Sequence, residues 1–383
     1  MNSKLPDVGT TIFTVISQRA AELGAVNLGQ GFPDYPVDPR LIELVAAAMR
    51  AGHNQYAPMA GLPALRERIA QDLGRRRGIH VDPHGEITIT LGATEGIFSA
   101  IAALVGPGDE VLVFDPAYDS YDPAVRVAGA RCVHVPLLPP HFRYDWQRVR
   151  AALTPRTKLI VVNSPLNPAC TVLPEADLLE LARLAEERDL IVMSDEVYEH
   201  IVFDGARHHG VLSHPSLRQR SLAVYSFGKS LHATGLRVGY CVAPPRLTTE
   251  LRKVHQFNTF SIATPFQYAI AGYLDAEPTV FDALGSFFAH KRALLTQGLA
   301  GSAFRVLPAQ GTYFTLVDYS GCALLAGLDD MAAATRLLEQ GGVAAIPLAP
   351  FYREPVKHSL LRLCFAKQDA TLSRAIERLR NLQ

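Results

Sequence analysis

The chain has 383 residues, of which 48% are hydrophobic and 19% charged, a balance that excludes disorder and leaves room for a sizeable core in about two or three domains. Lysines and arginines number 37 and so do aspartates and glutamates; the formal net charge is zero, which gives no reason to expect long-range attraction to nucleic acid or an anionic membrane. The five cysteines, Cys132, Cys170, Cys241, Cys322 and Cys364, are far apart with no C-x-x-C pair, and are expected to be reduced, buried thiols of a cytoplasmic protein.

The opening stretch MNSKLPDVGTTIF has no apolar run after its lysine, so no secretory signal is expected there. No apolar run anywhere approaches the ~18 residues of a membrane span. EITITL (86–91) reads as a strand and TEGIFSAIAALV (94–105) as a helix ended by GPGD. EVLVF (110–114) is the next strand, then TKLIVVNS (157–164), followed by a loop carrying Pro165, Pro168 and Pro174. The helix EADLLELARLAEERD (175–189) leads into the strand LIVMSD (190–195), and SLAVYSF (221–227) is a further strand. Continuous apolar strands alternating with helices predict an α/β fold, a mostly parallel sheet covered on both faces. The last third changes character: GTYFTLVDY (311–319), GVAAIPL (342–348) and SLLRLCFA (359–366) read as strands beside two helices, a smaller α+β domain. No repeat or low-complexity linker marks the boundaries.

In such sheets chemistry collects at the carboxyl ends of strands. Polar clusters stand at five of them: Gly92–Glu95, Asp115–Tyr118, Asn163–Asn167, Asp195–Tyr198 and Ser226–Lys229. Loop polarity explains any one of these. The set is harder to dismiss, because its side chains complement one another. Lys229 has three readings. A phosphate-binding loop fails, since Ala223 stands where the first glycine of G-x-x-x-x-G-K-[ST] belongs. A solvated lysine ending a strand is the plain reading. The third is a desolvated lysine that forms a Schiff base, with Gly228 letting a bulky ligand approach the backbone.

A Schiff-base site of the pyridoxal type needs further parts, and each has a candidate. Asp195, ending an apolar strand, suits a protonated ring nitrogen. Asn167 and Tyr198 offer donors for a ring oxygen, and Tyr118 an aromatic face. Ala93 and Thr94 open a helix that suits a phosphate, joined by Ser226 and Arg237. Arg362 is the candidate for a bidentate carboxylate contact.

The stretches NLGQGFPDYP (27–36), NQYAPMAGLPALRERIA (54–70), NSPLNPAC (163–170), SDEVYEH (194–200), SFGKSLHATGLRVGYCVAP (226–244), AQGTYF (309–314) and GVAAIPLAPFY (342–352) together resemble the fold-type I, class I pyridoxal-phosphate aminotransferases over nearly the whole chain. Within that family they look most like the methionine and kynurenine aminotransferases (glutamine transaminase K). The resemblance implies a large domain (48–280) with a mostly parallel seven-stranded sheet between helices, a C-terminal small domain (281–383), and an N-terminal arm with part of the small domain (1–47). It implies pyridoxal 5′-phosphate held by Lys229 as a Schiff base, with Asp195 on the ring nitrogen, Asn167 and Tyr198 on the ring oxygen, Val197 beneath the ring, and Ser226, Arg237, Ala93 and Thr94 around the phosphate. Tyr56 would reach the phosphate from a second subunit, so a homodimer with shared sites is implied. Arg362, Asn167 and the Gly31 backbone would hold the substrate carboxylate; Phe13, Tyr118 and the partner subunit's Phe260 would face the substrate. Arg237 stands where many members have lysine, and Tyr118 where kynurenine enzymes often have phenylalanine.

The activity so implied is ping-pong transfer of the amino group of methionine, aromatic or other large uncharged L-amino acids to a 2-oxo acid. Kynurenine transamination or cysteine-conjugate β-elimination on the same fold are alternatives. A non-catalytic regulatory domain is a remote one, disfavoured by the lack of a basic arm. Phe13, Phe260 and Val197 also fit plain packing. The paired histidines at 208–209, with His214 nearby, lack H-E-x-x-H spacing and are expected in a solvated loop, with no metal site.

Overall fold

The structure is a computed structural model describing residues 3–382. Seven strands form the central sheet: Ile87–Thr90 (β1), Glu110–Asp115 (β2), Arg131–Pro136 (β3), Thr157–Asn163 (β4), Ile191–Asp195 (β5), Ser221–Ser226 (β6) and Gly239–Val242 (β7). Their order in space is β1-β7-β6-β5-β4-β2-β3, and every neighbouring pair is parallel except those involving β7, which runs against β1 and β6. β4 shows why its sequence is apolar at almost every position. Leu159 and Val161 enter one hydrophobic layer, with the helices Gly92–Leu104 and Pro245–Asn258; Ile160 and Val162 enter the opposite one, with Pro63–Arg77, Glu175–Glu187 and Thr264–Ala276. Both faces are covered, as continuous apolar strands require. Two strands of this sheet were not foreseen. β3 is an edge strand with exposed and half-buried residues, and β7 is four residues long inside a glycine-containing turn region.

A four-stranded antiparallel sheet is built from Arg305–Val306, Phe314–Asp318, Ile346–Pro347 and Leu360–Cys364, with Leu360–Cys364 in an interior place. The expected strand 342–348 divides in two: Ile346–Pro347 joins this sheet, while Val343–Ala344 pairs in parallel with Val26–Asn27. That pairing ties the N-terminal segment to the C-terminal third. The helix Pro39–Arg50 instead lies on Thr264–Ala276. Among the described residues no helix is long and apolar enough to cross a membrane. No disulfide links the five cysteines among the described residues; four of them are buried and Cys132 is half-buried.

The helix Gly92–Leu104 begins two residues earlier than its pattern predicts, because Gly92 adopts a positive φ of 69° that turns the chain straight from β1 into the helix. Glu95, in its first turn, accepts from the Leu91 N–H at 3.0 Å, from Ser99 Oγ at 2.6 Å, and lies 3.0 Å from His255 Nδ1. Gly239 on β7 sits directly against this turn. A Cβ there would lie 2.6 Å from the Tyr225 carbonyl oxygen, 2.7 Å from Gly92 C and 2.9 Å from Ala93 N, all of them backbone atoms that cannot rotate away. Gly239→Ala should therefore displace the helix start and cost about 1–3 kcal/mol by overpacking, which chemical denaturation will read as a lower midpoint at unchanged slope.

Candidate active site

The carboxyl ends of β4, β5 and β6 and the start of Gly92–Leu104 enclose a cavity of about 180 Å³. Ala93, Thr94, Tyr118, Asn167, Asp195, Val197, Tyr198, Ser226, Lys229 and Arg237 all line it, so ten of the residues singled out by sequence converge on one place.

One end is cationic. The first-turn amides of Gly92–Leu104 carry the positive end of the helix dipole. The Arg237 guanidinium lies so close over Gly92 that a Cβ on that glycine would be 2.5 Å from Nη2. Arg237 takes a left-handed backbone (φ 54°), its Nη1 donates to the Thr234 carbonyl at 3.2 Å, and no carboxylate pairs with it among the described residues. A guanidinium without a counter-ion at a helix N-terminus, beside the Ser226 hydroxyl, is chemically matched to a phosphate dianion.

The middle holds one amine and one carboxylate. Lys229 lies on the short helix Phe227–Ser230, with its ammonium 5.8 Å from the Tyr198 ring centre and 5.7 Å from that of Tyr313. Burial pulls its pKa down to about 8. Asp195 ends β5; burial pushes its pKa up to about 6, against the opposing pull of the Tyr121 hydroxyl, which donates to Oδ2 at 2.7 Å, and of the Val197 N–H, 3.3 Å from Oδ1. Asn163 fixes the neighbouring strand end: its Nδ2 donates to the Asp195 carbonyl at 2.8 Å and its Oδ1 accepts from the Asn167 N–H at 2.9 Å. Burial also drives the Tyr198 phenol far above its ordinary range, so it stays protonated and can donate.

Arg362 stands apart from the Arg237 end, on the interior strand Leu360–Cys364, and is 1% exposed. Nη1 donates to Asn167 Oδ1 at 2.6 Å and Nη2 to the Gly29 carbonyl at 2.9 Å, while buried Nε has no partner. The guanidinium packs 3.9 Å from the Phe314 ring centre and 5.1 Å from that of Phe13, which in turn touches Phe351. No carboxylate pairs with Arg362 among the described residues. Arg362 therefore makes no ion pair within the small sheet in this conformation. Gly31 lies alongside: its carbonyl accepts from Tyr313 Oη at 2.6 Å, and a Cβ on it would be 2.9 Å from Phe314 Cζ.

Two predicted residues lie elsewhere in this single chain. Tyr56 is 82% exposed and meets the half-exposed Phe260 edge-on at 5.3 Å between ring centres, with Phe257 85% exposed close by in sequence. Gly228 does not open the backbone to a ligand; a Cβ there would be 3.1 Å from Thr234 Cα, so this glycine serves internal packing. The histidine pair is not a solvated loop either: the His208 side chain is 4% exposed, with Nε2 2.9 Å from Glu196 Oε2. Glu196 also accepts from Tyr225 Oη at 2.9 Å and the Val211 N–H at 2.9 Å, and pairs with Arg77 at 3.3 Å. Sequence reasoning gave no role to Tyr121, Asn163 or Tyr313: Asn163 opens one of the strand-end clusters and Tyr313 falls inside AQGTYF, but nothing in the sequence ties Tyr121 to Asp195.

The sequence matches the profile of the family described as aminotransferase class I and II over residues 24–379. It is 50% identical over 380 residues to the methionine aminotransferase of Escherichia coli K12, covering 99% of this chain and 98% of that protein. It is 34% identical to mouse kynurenine–oxoglutarate transaminase 1, over 96% of this chain and 93% of that one. Among solved structures it is similar to E. coli YbdL, whose structure and reactivity identify a methionine aminotransferase function (TM-score 0.97, 50% identity, 100% of this chain and 99% of the other). It is also similar to N-succinyldiaminopimelate aminotransferase of Mycobacterium tuberculosis (TM-score 0.95, 39% identity, full coverage of both). The chain belongs to the class I and II aminotransferases.

A buried amine held near pKa 8 destabilises the ligand-free protein at neutral pH. The penalty is full below about pH 8, where both states are protonated, and vanishes as pH rises to the unfolded value near 10.5. Lys229→Met should thus melt higher than wild type at pH 7, by the equivalent of about 2–4 kcal/mol, with the gap closing between pH 8 and 10.5. Melting curves across that range check it.

Proposed function

We propose that this aminotransferase uses pyridoxal 5′-phosphate to move the amino group of methionine, aromatic or other large uncharged L-amino acids to a 2-oxo acid. The observation that carries the reading is the order of groups along one cavity and its border: Arg237 with a helix N-terminus, then Lys229 and Asp195, then Arg362, which lies behind the lining residue Asn167 and donates to it. Those groups fit, in turn, a phosphate, an aldehyde, a ring nitrogen and a substrate carboxylate. When bound, the cofactor's protonated pyridine ring supplies an electron sink for charge developing at the substrate Cα.

The roles of the chain's own residues follow from their chemistry. Arg237, Ser226 and the first-turn amides at Ala93 and Thr94 bind the phosphate. Asp195 holds the proton on the ring nitrogen, since the carboxylate is the charged form above about pH 6. Tyr198 and Asn167 orient the ring by donating to its oxygen, while Tyr118 and Val197 cover its faces. Lys229, whose amine is readily neutral near pH 8, is the base that takes the proton from the substrate Cα and returns it. Arg362 grips the carboxylate common to every donor and acceptor, with Asn167 and the Gly31 backbone beside it. Phe13, tilted against Phe351, gives the adjoining space an apolar wall suited to a large uncharged side chain. The 50% identity to a methionine aminotransferase supports methionine as a donor.

Tyr56 and Phe260 form an exposed aromatic patch rather than part of the cavity of their own chain. We read this patch as the surface that a second copy covers, each copy lending Tyr56 and Phe260 to the other's site in a homodimer.

Two measurements test the reading. Purified protein given pyridoxal phosphate should turn yellow, and borohydride should fix the cofactor covalently to Lys229; Lys229→Ala should lose turnover. Methionine should be among the best donors in a screen of amino acids and 2-oxo acids. Absence of the Lys229 adduct sinks the cofactor assignment, and a preference for dicarboxylic donors sinks the substrate class. For Arg362, a charge-assisted hydrogen bond contributes about 1.5–3 kcal/mol, so Arg362→Lys should lower kcat/KM at least about tenfold for donor and acceptor alike. With no carboxylate to unpair, the melting temperature should hold; a fall in melting with unchanged kcat/KM would refute the role.

A further inference from the structure

Asp195 does not face the cavity unsupported. Tyr121 Oη donates to Oδ2 at 2.7 Å, and the Tyr121 ring is 2% exposed. Tyr121 is the first residue of the helix Tyr121–Val127, whose Ala124 and Val125 are buried in the same hydrophobic layer, so the phenol is delivered from a fixed backbone. Its ring also meets Tyr118 edge-on at 5.7 Å between centres. The other titratable groups facing Asp195 and Tyr121 are Lys229, Glu196, Tyr118 and Tyr198. Burial pushes the Tyr121 phenol well above its ordinary range, so it remains a donor throughout the working pH range. A phenol that only donates stabilises the charged carboxylate against the desolvation that favours the neutral acid.

We propose that Tyr121 is a positioning residue for the ring-nitrogen partner: its hydroxyl keeps Asp195 ionised and oriented towards the cofactor ring. The proposal rests on the pyridoxal-phosphate reading above. It differs from plain packing in one respect, because a packing role would need the ring but not the hydroxyl. Tyr121→Phe keeps the ring and removes only the donor, and should fold normally.

The test uses wild type, Tyr121→Phe, Asp195→Asn and the double variant, each prepared without cofactor and titrated with pyridoxal phosphate from pH 5.5 to 8.5. Tyr121→Phe should weaken binding about tenfold near pH 6–7 and move the acid-side midpoint up by about one pH unit. The loss should shrink as pH rises and Asp195 ionises unaided. In the Asp195→Asn background, Tyr121→Phe should change affinity less than about twofold, since the two act through one contact. Melting of the cofactor-free proteins gives an independent readout. Asp195, with its pKa raised to about 6, stabilises the fold relative to Asp195→Asn below its unfolded value, and that advantage is lost as pH rises through 6. Without the Tyr121 hydroxyl the loss should finish about one unit higher. Equal losses in both backgrounds, or unshifted midpoints in binding and melting, overturn the proposal. A wild type that binds no pyridoxal phosphate refutes the cofactor reading instead, and the melting midpoints still decide for or against Tyr121.

Discussion

The site depends on desolvation of two opposite charges in one small cavity. Burial is the largest influence on both groups, and with their neighbours' charges and hydrogen bonds included Lys229 falls to about 8 and Asp195 rises to about 6, so each is brought towards neutrality from its own side. An amine that gives up its proton near neutral pH can act as a base; a carboxylate that would otherwise go neutral must be held charged. The second requirement explains the surroundings of Asp195, where a phenol and a backbone amide donate to its two oxygens. The sheet provides the dry environment. β4, β5 and β6 are covered on both faces, and their carboxyl ends open at the one place where the helix Gly92–Leu104 begins.

Arg237 and Arg362 pose the complementary problem. Each lacks a carboxylate partner among the described residues, and for Arg362, which is buried, the uncompensated charge opposes folding. A protein selected only for stability would pair or replace it. Retaining a buried guanidinium with one nitrogen unsatisfied is reasonable when an external anion completes the set. Arg362 is kept in place meanwhile by neutral acceptors, Asn167 Oδ1 and the Gly29 carbonyl, and by the faces of Phe314 and Phe13. Neutral supports orient the group without cancelling its charge. Strain also concentrates here: Arg237 itself is left-handed, and Gly92 and Gly239 both lack the side chain that their close neighbours would exclude.

Much of this was legible in the sequence, because strand-end residues announce themselves. Asp195, Asn167, Ser226 and Lys229 each follow an apolar run, and parallel topology brings such ends together without any need to know the register. What could not be read is contact between elements distant in sequence. Tyr121 and Asp195 are 74 residues apart, and nothing in PAYDSYDP says which tyrosine points to the carboxylate and which to the cavity. β7 was hidden because its four residues alternate too briefly to show a period. Gly228 looked like a ligand-facing glycine but answers to Thr234, which follows a turn that spacing does not define. His208 looked solvated because its neighbours are polar; the buried Glu196 that holds it lies 12 residues earlier.

The N-terminal segment shows why the site draws on nearly the whole chain. Val26–Asn27 pairs with Val343–Ala344, and Leu28 accepts from the Cys364 N–H at 2.7 Å. The next residues then reach the Arg362 end of the site in order: Gly29 accepts from Arg362, Gly31 from Tyr313, and Phe32 from Lys367 Nζ at 2.8 Å. The backbone from 28 to 32 is thus stitched along the strand that carries Arg362. These bonds to backbone carbonyls hold the path of the segment, and its side chains add to them: Leu28 is fully buried, Gln30 Oε1 accepts from Ser17 Oγ, and Lys367 Nζ lies over the Phe32 ring. Gly31 has no room for a side chain, since a Cβ would press on Phe314 and thereby on the ring that supports the Arg362 guanidinium. The Arg362 end of the site is therefore a joint between the two ends of the chain, whereas the Arg237 end is built from the middle. Lys229, which feels the charges of both arginines and of Asp195, lies where those two constructions meet.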